Sequence, residues 1–369
     1  MKNPKKITFE GFYGFKNAGD DAFVEVASWG AKKYWGCTNN VFLGAHLPKV
    51  INKINTRQLL PTLKGFDRVN LLGHLLNSDC FISAGGSTFS KIPSHSNKAL
   101  ATTYGRFDRR IQLGAIGVSI GPFENGMDEK NVIKYLQSLQ FLAVRDSKSF
   151  DYLSSLNLPY QPVNAFDLAA LLPLVYKSSS QSFKTNLAQK TIGISICNYE
   201  SFVGGDLKQE AKRNLFFKEL LNLILKHTNV HLKVFIINDN PKIGDAKVTE
   251  VLLAGVDEKR FTVLPYSGNV KKTWDQISSC DLMISTRLHA SIFACYSKVP
   301  FILLEYHRKC SDFLNDVGQD EMFRVYDAEK SPEEVMQTIE YALIGEAKEP
   351  TNLQHTIEKS KLNFTKTIF

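Results

Sequence analysis

Residues 281–318 read DLMISTRLHASIFACYSKVPFILLEYHRKCSDFLNDVG and are the most informative part of the sequence for its fold. Its pattern predicts, in order, a buried strand at 282–285, a polar turn at 286–289, an apolar helix at 290–296 and a second strand at 301–304. A strand that leads through a helix into another strand is typical of a parallel α/β sheet. Arg287 and His289 would then lie at the carboxyl edge of that sheet, where ligands bind in such folds.

This turn has the chemistry of an anion site. The start of a helix offers unpaired N–H groups and a positive dipole end. Arg287 and His289 flank Leu288, and on an extended segment their two side chains would share one face. Lys309 follows the next strand, beside His307, and is a candidate to complete a cationic pocket, with a solvated lysine as the alternative. We therefore predict half of a site for a small, strongly anionic substrate.

The same alternation of strands and helices extends in both directions. In the first half, apolar runs predict strands at 7–12, 40–43, 80–84, 115–120, 141–145 and 164–166. In the second half, the pattern predicts strands at 191–197, 232–237 and 261–264 and helices at 207–228, 246–253, 270–278 and 332–343. Between them, the polar stretch YKSSSQSFKTNLAQK at 176–190 has the composition of a linker.

These patterns and the length of the chain predict two domains. A chain of 369 residues exceeds what one hydrophobic core usually supports. We predict parallel α/β domains at 1–175 and 191–345 that face each other across a cleft, joined by the linker at 176–190. A polar tail at 346–369 is predicted to be helical and to pack back on the amino-terminal domain.

Composition narrows the class of protein. The net charge of +8 suits an acidic partner, but the basic residues are scattered, so we do not expect nucleic-acid binding. The six cysteines show no CxxC spacing, which indicates neither a zinc site nor a disulfide framework. The start MKNPKKITFEGFYG lacks the apolar core of a signal peptide, and no run of 18 apolar residues is present. A cytoplasmic enzyme is the expectation.

The first Gly-rich loop, GFYGFKNAGD at 11–20, lies between a predicted strand and a predicted helix. Glycines such as Gly19 allow the backbone to approach a ligand closely. Asn17 and Asp20 are candidates to contact sugar hydroxyls. The alternative for Asp20 or Asp21 is that it simply caps the helix. The strict GxGxxG pattern of dinucleotide-binding folds is absent.

Two further junctions of strand and helix carry candidate residues. The loop SAGGSTFS at 83–90 offers Gly85, Gly86 and Ser87 to a substrate, or is a packing turn, and His95 follows it. Arg145 ends the predicted strand at 141–145, where its guanidinium can form a fork on a carboxylate or phosphate. The alternative for Arg145 is a surface ion pair with Asp146, which is worth little.

Taken together, these motifs resemble those of the polysaccharide pyruvyl transferases. The matching segments, in family order, are GFYGFKNAGDDA (11–22), DCFISAGGS (79–87), GAIGVSIGPF (114–123), VRDSKSFDYL (144–153), FDLAALLP (166–173), RLHASIFA (287–294) and YHRK (306–309). The chain departs from the family pattern in having only two glycines before Ser87, and in carrying Glu305 before Tyr306.

The resemblance implies two Rossmann-like domains in a GT-B-like arrangement, with the acceptor on the amino-terminal side and the donor on the carboxyl-terminal side. It also implies transfer of a carboxyethylidene group from phosphoenolpyruvate to two hydroxyls of one sugar, which forms a cyclic ketal and releases phosphate. The family assigns the arginine of VRD and the Arg and His of RLH to the donor, which here are Arg145, Arg287 and His289. The resemblance also implies a role in the biosynthesis of polysaccharides, including exopolysaccharides.

This chemistry needs a general acid and a base. His289 is the candidate acid, with phosphate binding as its alternative role, and His95 or Asp20 is the candidate base. Phosphoenolpyruvate is a co-substrate, and we expect no metal and no other cofactor. The acceptor is a sugar or glycan, and a lipid-linked acceptor would bring the protein to the inner face of the membrane.

Two other classes of function compete with this prediction. A GT-B glycosyltransferase would use the same pair of sheets, and an arginine with a histidine can hold the diphosphate of a nucleotide sugar. A non-catalytic glycan-binding protein on a degenerate enzyme fold is the second alternative. A pyruvyl transferase would release phosphate from phosphoenolpyruvate, whereas a glycosyltransferase would release a nucleotide from its donor.

Overall fold

The structure, a computed structural model, describes residues 4–44, 46–55, 67–107, 111–176, 189–326 and 329–367. The chain divides into two compact units. The first unit comprises Met1–Phe15, Asp20–Val175 and His355–Phe369, and the second comprises Lys16–Gly19 and Tyr176–Gln354.

Strands and helices alternate through both units. The strands are β1 (Lys6–Glu10), β2 (Asn39–Phe42), β3 (Cys80–Phe89), β4 (Gln112–Ile120), β5 (Phe141–Val144), β6 (Val163–Asn164), β7 (Thr191–Ser195), β8 (His231–Phe235), β9 (Phe261–Leu264), β10 (Leu282–Ser285), β11 (Phe301–Glu305) and β12 (Arg324–Tyr326). The α-helices are α1 (Ala18–Trp35), α2 (Asp67–Leu76), α3 (Asn97–Phe107), α4 (Gly126–Leu136), α5 (Ser147–Ser154), α6 (Leu172–Tyr176), α7 (Glu200–Val203), α8 (Leu207–His227), α9 (Ala246–Leu253), α10 (Val270–Ser278), α11 (Leu288–Tyr296), α12 (Arg308–Val317), α13 (Pro332–Leu343) and α14 (Leu353–Thr365).

The first unit is built on a parallel sheet with the order β2-β1-β3-β4-β5-β6. The chain moves outward from β1 to β2, and then returns past β1 to β3 and continues in the other direction. The switch point of this sheet therefore lies between β1 and β3, which pair in register from Ile7↔Cys80 to Glu10↔Ser83. In open α/β sheets, ligands bind outside the carboxyl ends of the strands at such a point.

The last helix of the chain packs within the first unit. The side chain of Asn363 accepts a bond from Gly117 N at 2.7 Å and donates to Phe166 O at 2.8 Å. The Phe364 ring lies so close to Gly30 of α1 that a Cβ there would be 2.2 Å from it. Trp35 also donates its indole N–H to Phe364 O at 3.0 Å. Helix α14 is thus held by buried polar and aromatic contacts.

The second unit is built on a parallel sheet with the order β12-β11-β10-β7-β8-β9. Its switch point lies between β7 and β10, which pair from Leu282↔Ile192 to Ser285↔Ser195. Strand β10 is buried along its whole length, as expected for a parallel sheet covered on both faces. Helix α8 buries Phe217, Leu220, Leu221 and Ile224 at helical spacing against this sheet, and the second core forms there.

Both sheets confirm the predicted fold class of two Rossmann-like parallel α/β domains. Helices α9, α10 and α13 and strands β9 and β10 have the predicted bounds, and the predicted carboxyl-terminal helix is α14. Strand β3 runs to Phe89, beyond the predicted end at residue 84, because Gly86 and Phe89 still pair with β4 across a register shift. The two glycines therefore lie within the strand.

The division of the chain differs from the predicted domains at two places. Lys16–Gly19 belongs to the second unit, and so do residues 346–354. The second segment is fixed there by backbone bonds from Thr351 N to Gly318 O at 3.1 Å and from Asn352 N to Val317 O at 2.9 Å. Most of the predicted linker, residues 177–188, lies outside the described residues.

Among the helices of the described ranges, none is both long enough and apolar enough to cross a membrane.

Candidate functional site

The strongest concentration of candidate residues in the second unit follows β10, at the switch point of its sheet. Thr286 continues the line of the strand, since its backbone N–H donates to Ser195 O at 2.9 Å. Arg287 then forms the N-cap of α11, with φ −74° and ψ 112°, and Leu288 is buried as the first residue of the helix. This arrangement directs the amino end of α11 to the carboxyl edge of the sheet, as predicted.

The helix begins earlier than predicted, and this changes one argument. His289 is the second residue of α11 rather than part of an extended turn. The expectation that Arg287 and His289 share one face of an extended segment is therefore wrong. The two residues are neighbours because Arg287 is the N-cap of α11 and His289 lies in its first turn, just after β10.

Arg287 is held by a buried carboxylate, that of Asp245. Its Nε donates to Asp245 Oδ1 at 2.8 Å and Oδ2 at 3.1 Å, and its Nη2 donates to Oδ1 and, at 3.3 Å, to Ile243 O. The Arg287 side chain is 19% exposed, whereas that of Asp245 is 0% exposed. The Nε–Nη2 edge of the guanidinium thus binds the carboxylate of Asp245, which is wholly buried.

The charge state of this pair follows from two opposing effects. Burial acts to lower the pKa of Arg287, but the neighbouring Cys197 and Asp245 outweigh it and hold that pKa above its ordinary value. Burial raises the pKa of the Asp245 carboxyl, while Arg287 and the N–H of Asn238 act in the opposite direction. Arg287 therefore stays cationic, and its charge is largely balanced by Asp245.

Asp245 is itself fixed to the end of β8. Its carboxylate accepts a bond from Asn238 N at 3.0 Å, and its own N–H donates to Asn238 O at 2.8 Å. Asp245 is not among the site residues predicted from the sequence. The available signal was the polar loop that follows the strand at 231–235, since carboxyl ends of neighbouring strands meet at one edge.

The segment Lys16–Gly19 is docked on the same edge of the second sheet. Asn17 forms an antiparallel bridge with Asn238, and Ala18 N donates to Ile237 O at 2.9 Å. Asp239 N donates to Lys16 O at 2.9 Å, and the Lys16 ammonium lies 3.1 Å from the Asp239 carboxylate. These bonds explain why this part of the first Gly-rich loop belongs to the second unit.

This docking brings Gly19 against His289. A Cβ at Gly19 would lie 2.3 Å from Cγ and Nδ1 of the His289 ring, closer than any real Cβ contact. Only glycine leaves room for the imidazole at this position. The structure thus brings together two predicted site residues, Gly19 and His289, that are 270 positions apart in the sequence.

Asn17, rather than Asp20 or Asp21, caps the start of α1. Its Oδ1 accepts a bond from Gly19 N at 3.1 Å at the start of α1. The alternative that Asp20 or Asp21 caps this helix is wrong, because both residues lie inside the first turn. An acidic residue there still complements the positive end of the helix dipole.

Lys309 lies in the first turn of α12, after β11, and is exposed. Its ammonium is 5.7 Å from the centroid of the Tyr199 ring. His307 caps this helix by accepting a bond from Lys309 N at 3.1 Å on Nδ1. Burial, followed by the charge of Lys309, lowers the pKa of His307, so the ring is neutral as an Nδ1 acceptor must be.

Glu305, one of the two departures from the family pattern, has a structural explanation. Its carboxylate accepts two bonds from Arg324, at 3.0 Å and 2.9 Å, and both side chains are almost fully buried. The pair joins β11 to its neighbour β12. Glu305 is therefore held inside the sheet by Arg324.

In the first unit, Arg145 is the centre of a network across the carboxyl edge. It donates from Nε to Ser119 Oγ at 2.8 Å, from Nη1 to Asp167 Oδ2 at 2.7 Å and from Nη2 to Ser87 Oγ at 3.0 Å. The Arg145 side chain is 14% exposed. One guanidinium thus joins the ends of β3, β4 and β5 to the segment after β6.

The ion-pair partner of Arg145 is Asp167, and the alternative of a surface pair with Asp146 is wrong. Asp146 is the N-cap of α5, where its side chain accepts a bond from Ser149 N at 2.8 Å. Asp167 was visible in the sequence as part of FDLAALLP, but only the sheet order places it beside Arg145. The structure therefore brings Ser87 and Arg145 together, as two of the predicted site residues.

The two glycines of the second loop differ in what they require. Both have left-handed backbones, with φ +78° at Gly85 and +81° at Gly86. A Cβ at Gly85 would also lie 2.3 Å from the Phe23 ring, whereas at Gly86 the nearest atom would be 3.6 Å away. Glycine is thus required at Gly85 by both the backbone and the packing, and at Gly86 by the backbone. His95 is exposed in the turn before α3.

Comparisons with known proteins identify the family of this chain. A sequence model described as polysaccharide pyruvyl transferase matches residues 11–308. The match covers both Gly-rich loops, Arg145 and the Arg287–His289 turn. The chain belongs to the polysaccharide pyruvyl transferase family. It is therefore a member of a transferase family that acts in polysaccharide biosynthesis, and a polysaccharide or glycan acceptor follows from that membership.

Solved structures with similar folds include UDP-GlcNAc 2-epimerases. The enzyme from Methanocaldococcus jannaschii is 12% identical, with a TM-score of 0.58 over 94% of this chain and 94% of that one. The enzyme from Neisseria meningitidis, bound to UDP-GlcNAc, is 13% identical, with a TM-score of 0.57 over 95% and 96%. MnaA of S. aureus with UDP is 12% identical, with a TM-score of 0.58 over 98% and 92%. At these identities the likeness extends to the fold, two Rossmann-like domains of the GT-B type.

Proposed function

We propose that this protein transfers a carboxyethylidene group from phosphoenolpyruvate to two hydroxyls of one sugar in a polysaccharide or its precursor. The product is a cyclic ketal, and inorganic phosphate is released. The observation that carries the proposal is the turn at the switch point of the second sheet, where Arg287, the amino end of α11 and His289 follow one strand. The family supplies the reaction class, and this turn supplies groups suited to its donor.

The donor is a demanding ligand because it carries a carboxylate and a phosphate, about three negative charges in all. Arg287 alone offers little net charge, since Asp245 balances it. Its remaining N–H groups can still bind an oxyanion with a fixed geometry. A protonated His289, Lys309 and the amino end of α11 are the candidates in this unit for the remaining positive charge.

His289 is the group we assign to proton donation. The helix dipole disfavours an imidazolium in the first turn of α11, but it amounts to only about half a charge. A bound trianion at contact distance favours the imidazolium more strongly. The histidine would therefore take up its proton together with the donor, which places the acid beside the enol carbon when it is needed.

The steps balance without any other reagent. His289 gives a proton to C3 of the enol, C2 becomes cationic, and one sugar hydroxyl adds to C2 and loses its proton. The bond from C2 to the phosphate oxygen then breaks and its electron pair leaves with the phosphate. The second hydroxyl adds to C2 and closes the ring. Of the two protons lost by the sugar, one replaces that given to C3 and one leaves on phosphate.

Arg145 is assigned to the donor by its place in the family motif, and Ser87 by its contact with Arg145. Asp20 and His95 remain the candidates for the base that takes the hydroxyl protons. The expectations of no metal and no cofactor, of a cytoplasmic location and of contact with the inner face of the membrane stay predictions.

The test is to incubate the protein with phosphoenolpyruvate and a panel of p-nitrophenyl glycosides, measuring phosphate release and product mass. The proposal predicts phosphate release that depends on a glycoside, together with a glycoside that has gained a carboxyethylidene group. A nucleotide-sugar donor in the same assay would release a nucleotide and add a sugar, which would support the glycosyltransferase alternative. Binding of a glycoside without either reaction would support the non-catalytic alternative.

A further inference from the structure

The loop after β1 displays two aromatic rings to solvent. Phe12 is 57% exposed and Phe15 is 53% exposed. Their ring centroids are 5.8 Å apart with an interplanar angle of 50°, so the two rings contact each other at a tilt. Scattered exposed apolar side chains are ordinary, but two adjoining aromatic rings in one loop form a small apolar surface.

The loop that carries these rings is anchored. Tyr13, between them, is buried and donates its hydroxyl to Ala84 O of β3 at 2.6 Å. Gly11 lies against the Tyr13 ring, where a Cβ would be 2.5 Å from it, and Gly14 turns the chain with φ +82°. The alternation of exposed, buried and exposed aromatic residues is thus fixed by the backbone and by one buried hydrogen bond.

The rings lie in the loop at the carboxyl edge of the first sheet, where sheets of this type bind ligands. The loop leaves β1 at the switch point of the first sheet, and the neighbouring strand across that point is β3. The part of β3 beyond this pairing contains Gly86, which is half-buried and where a Cβ would have no neighbour nearer than 3.6 Å. Phe12 and Phe15 are therefore exposed aromatic residues in the loop at this sheet edge, where Gly86 of the neighbouring strand carries no side chain.

We propose that Phe12 and Phe15 form the platform on which the acceptor sugar ring stacks, a subsite that the proposed function requires. A pyranose ring has an apolar face of C–H bonds and a polar rim of hydroxyls. An aromatic face can cover the C–H surface while the hydroxyls stay available for reaction, which suits a reaction at two hydroxyls of one sugar. The inference rests on the proposed function only for the identity of the acceptor.

The kinetic test uses Phe12→Ala and Phe15→Ala in the full-length protein, with phosphoenolpyruvate and the best p-nitrophenyl glycoside of the panel. Each change should raise the KM for the glycoside by roughly three- to tenfold, since a lost aromatic contact is worth about that factor. The KM for phosphoenolpyruvate should not change. Phe12→Tyr and Phe15→Tyr keep the ring and should keep the parent KM for the glycoside.

The matched control is Phe107→Ala, because Phe107 is 87% exposed at the end of α3 and has no part in the proposed subsite. It should leave both KM values unchanged. If Phe12→Ala and Phe15→Ala behave as Phe107→Ala does, or if they raise both KM values equally, the stacking platform is wrong while the proposed reaction stands. Thermal unfolding of each variant shows whether the substitution has disrupted the fold.

A binding measurement separates this inference from the reaction. Saturation-transfer NMR with the same glycosides should show transfer from aromatic protein protons to the sugar C–H protons in the parent protein. The transfer should fall in Phe12→Ala and persist in Phe107→Ala. If the parent protein binds glycosides in this way without turnover, the subsite stands and the proposed reaction fails. If none of the glycosides receives saturation from the parent protein, the platform is wrong.

Discussion

Arg145 in the first unit and Arg287 in the second both lie at the carboxyl end of a buried strand and both pair with an aspartate, but they are held differently. Arg145 distributes three nitrogens over Asp167, Ser119 and Ser87, which come from three different segments. Arg287 uses one edge on Asp245 and one backbone oxygen. Within the described residues, Nη1 of Arg287 makes no hydrogen bond.

The difference indicates two kinds of arginine. Arg145 joins the ends of neighbouring strands, so its guanidinium stabilises the edge of its sheet whether or not a ligand is bound. Arg287 is oriented from behind by a carboxylate that has no exposure to water, and it lies beside His289 at a switch point. The second arrangement is that of a preorganised binding group, and the following predictions test that distinction.

The largest effect is expected at His289. His289→Gln should lower kcat by about 10²–10⁴-fold, the usual contribution of a general acid, and should flatten the pH–rate profile on the side where the acid titrates. Gly19→Ala should lower kcat in the same direction, because its Cβ must displace the His289 ring.

The matched control for the glycine is Gly126→Ala, at the start of α4, where a Cβ would meet nothing within 4 Å. It should leave kcat and thermal stability unchanged. A Gly19→Ala protein with parent kcat would show that the packing of Gly19 on His289 does not matter for the reaction.

The second-largest effect is expected on stability, at the pair of Arg287 with the buried carboxylate of Asp245. Arg287→Gln should lower the free energy of unfolding by about 3 kcal/mol, because it leaves the wholly buried Asp245 without its cation. The double change Arg287→Gln with Asp245→Asn removes that charge and should recover most of the stability while turnover stays lost. Urea unfolding and phosphate release measure the two quantities separately. Recovery of turnover in the double variant would contradict the binding role of Arg287.

A smaller effect is expected at Arg145. Arg145→Lys keeps the charge opposite Asp167 but loses the fork that reaches Ser119 and Ser87, so it should cost about 1–2 kcal/mol of stability. Under the proposed donor role it should also raise the KM for phosphoenolpyruvate. Ser87→Ala removes a single one of these bonds and should cost less than Arg145→Lys. A cost as large as that of Arg287→Gln would remove the distinction between the two arginines.

The smallest effect is a pH dependence at α12. Burial and the charges of Lys309 and Arg308 lower the pKa of His307, with Asp312 acting in the opposite direction. The native state therefore favours the neutral ring, and its contribution to stability is complete above the ordinary pKa of 6.5 and is lost as the pH falls toward the lowered value. Protonation of Nδ1 also removes the cap on Lys309 N, worth about 1 kcal/mol.

The matched variant is His307→Asn, which keeps a capping side chain that does not titrate. Thermal unfolding between pH 7.5 and pH 5 should show a smaller loss of stability for this variant than for the parent protein, by about 1 kcal/mol. Parallel curves for the two proteins would show that His307 does not contribute to the acid sensitivity.

Much of the fold could be predicted from the sequence, because each buried parallel strand is a short apolar run and each strand end is marked by glycine or polar residues. The turn at Arg287–His289 was identified for this reason. Asp245 and Asp167 could not be assigned to their arginines, since both pairings depend on which strands are neighbours in the sheet. The contact of Gly19 with His289 likewise depends on the bonds of Lys16–Gly19 to residues 237–239 after β8, which no local sequence pattern indicates.

The most direct test of the central claim is calorimetric titration of phosphoenolpyruvate into the parent protein and into the double variant Arg287→Gln with Asp245→Asn. We expect the parent protein to bind phosphoenolpyruvate and the folded double variant to bind it at least roughly tenfold more weakly, since charge-assisted bonds to the donor are lost. Equal affinity of the two proteins, or a parent protein that binds UDP-GlcNAc and not phosphoenolpyruvate, would contradict it.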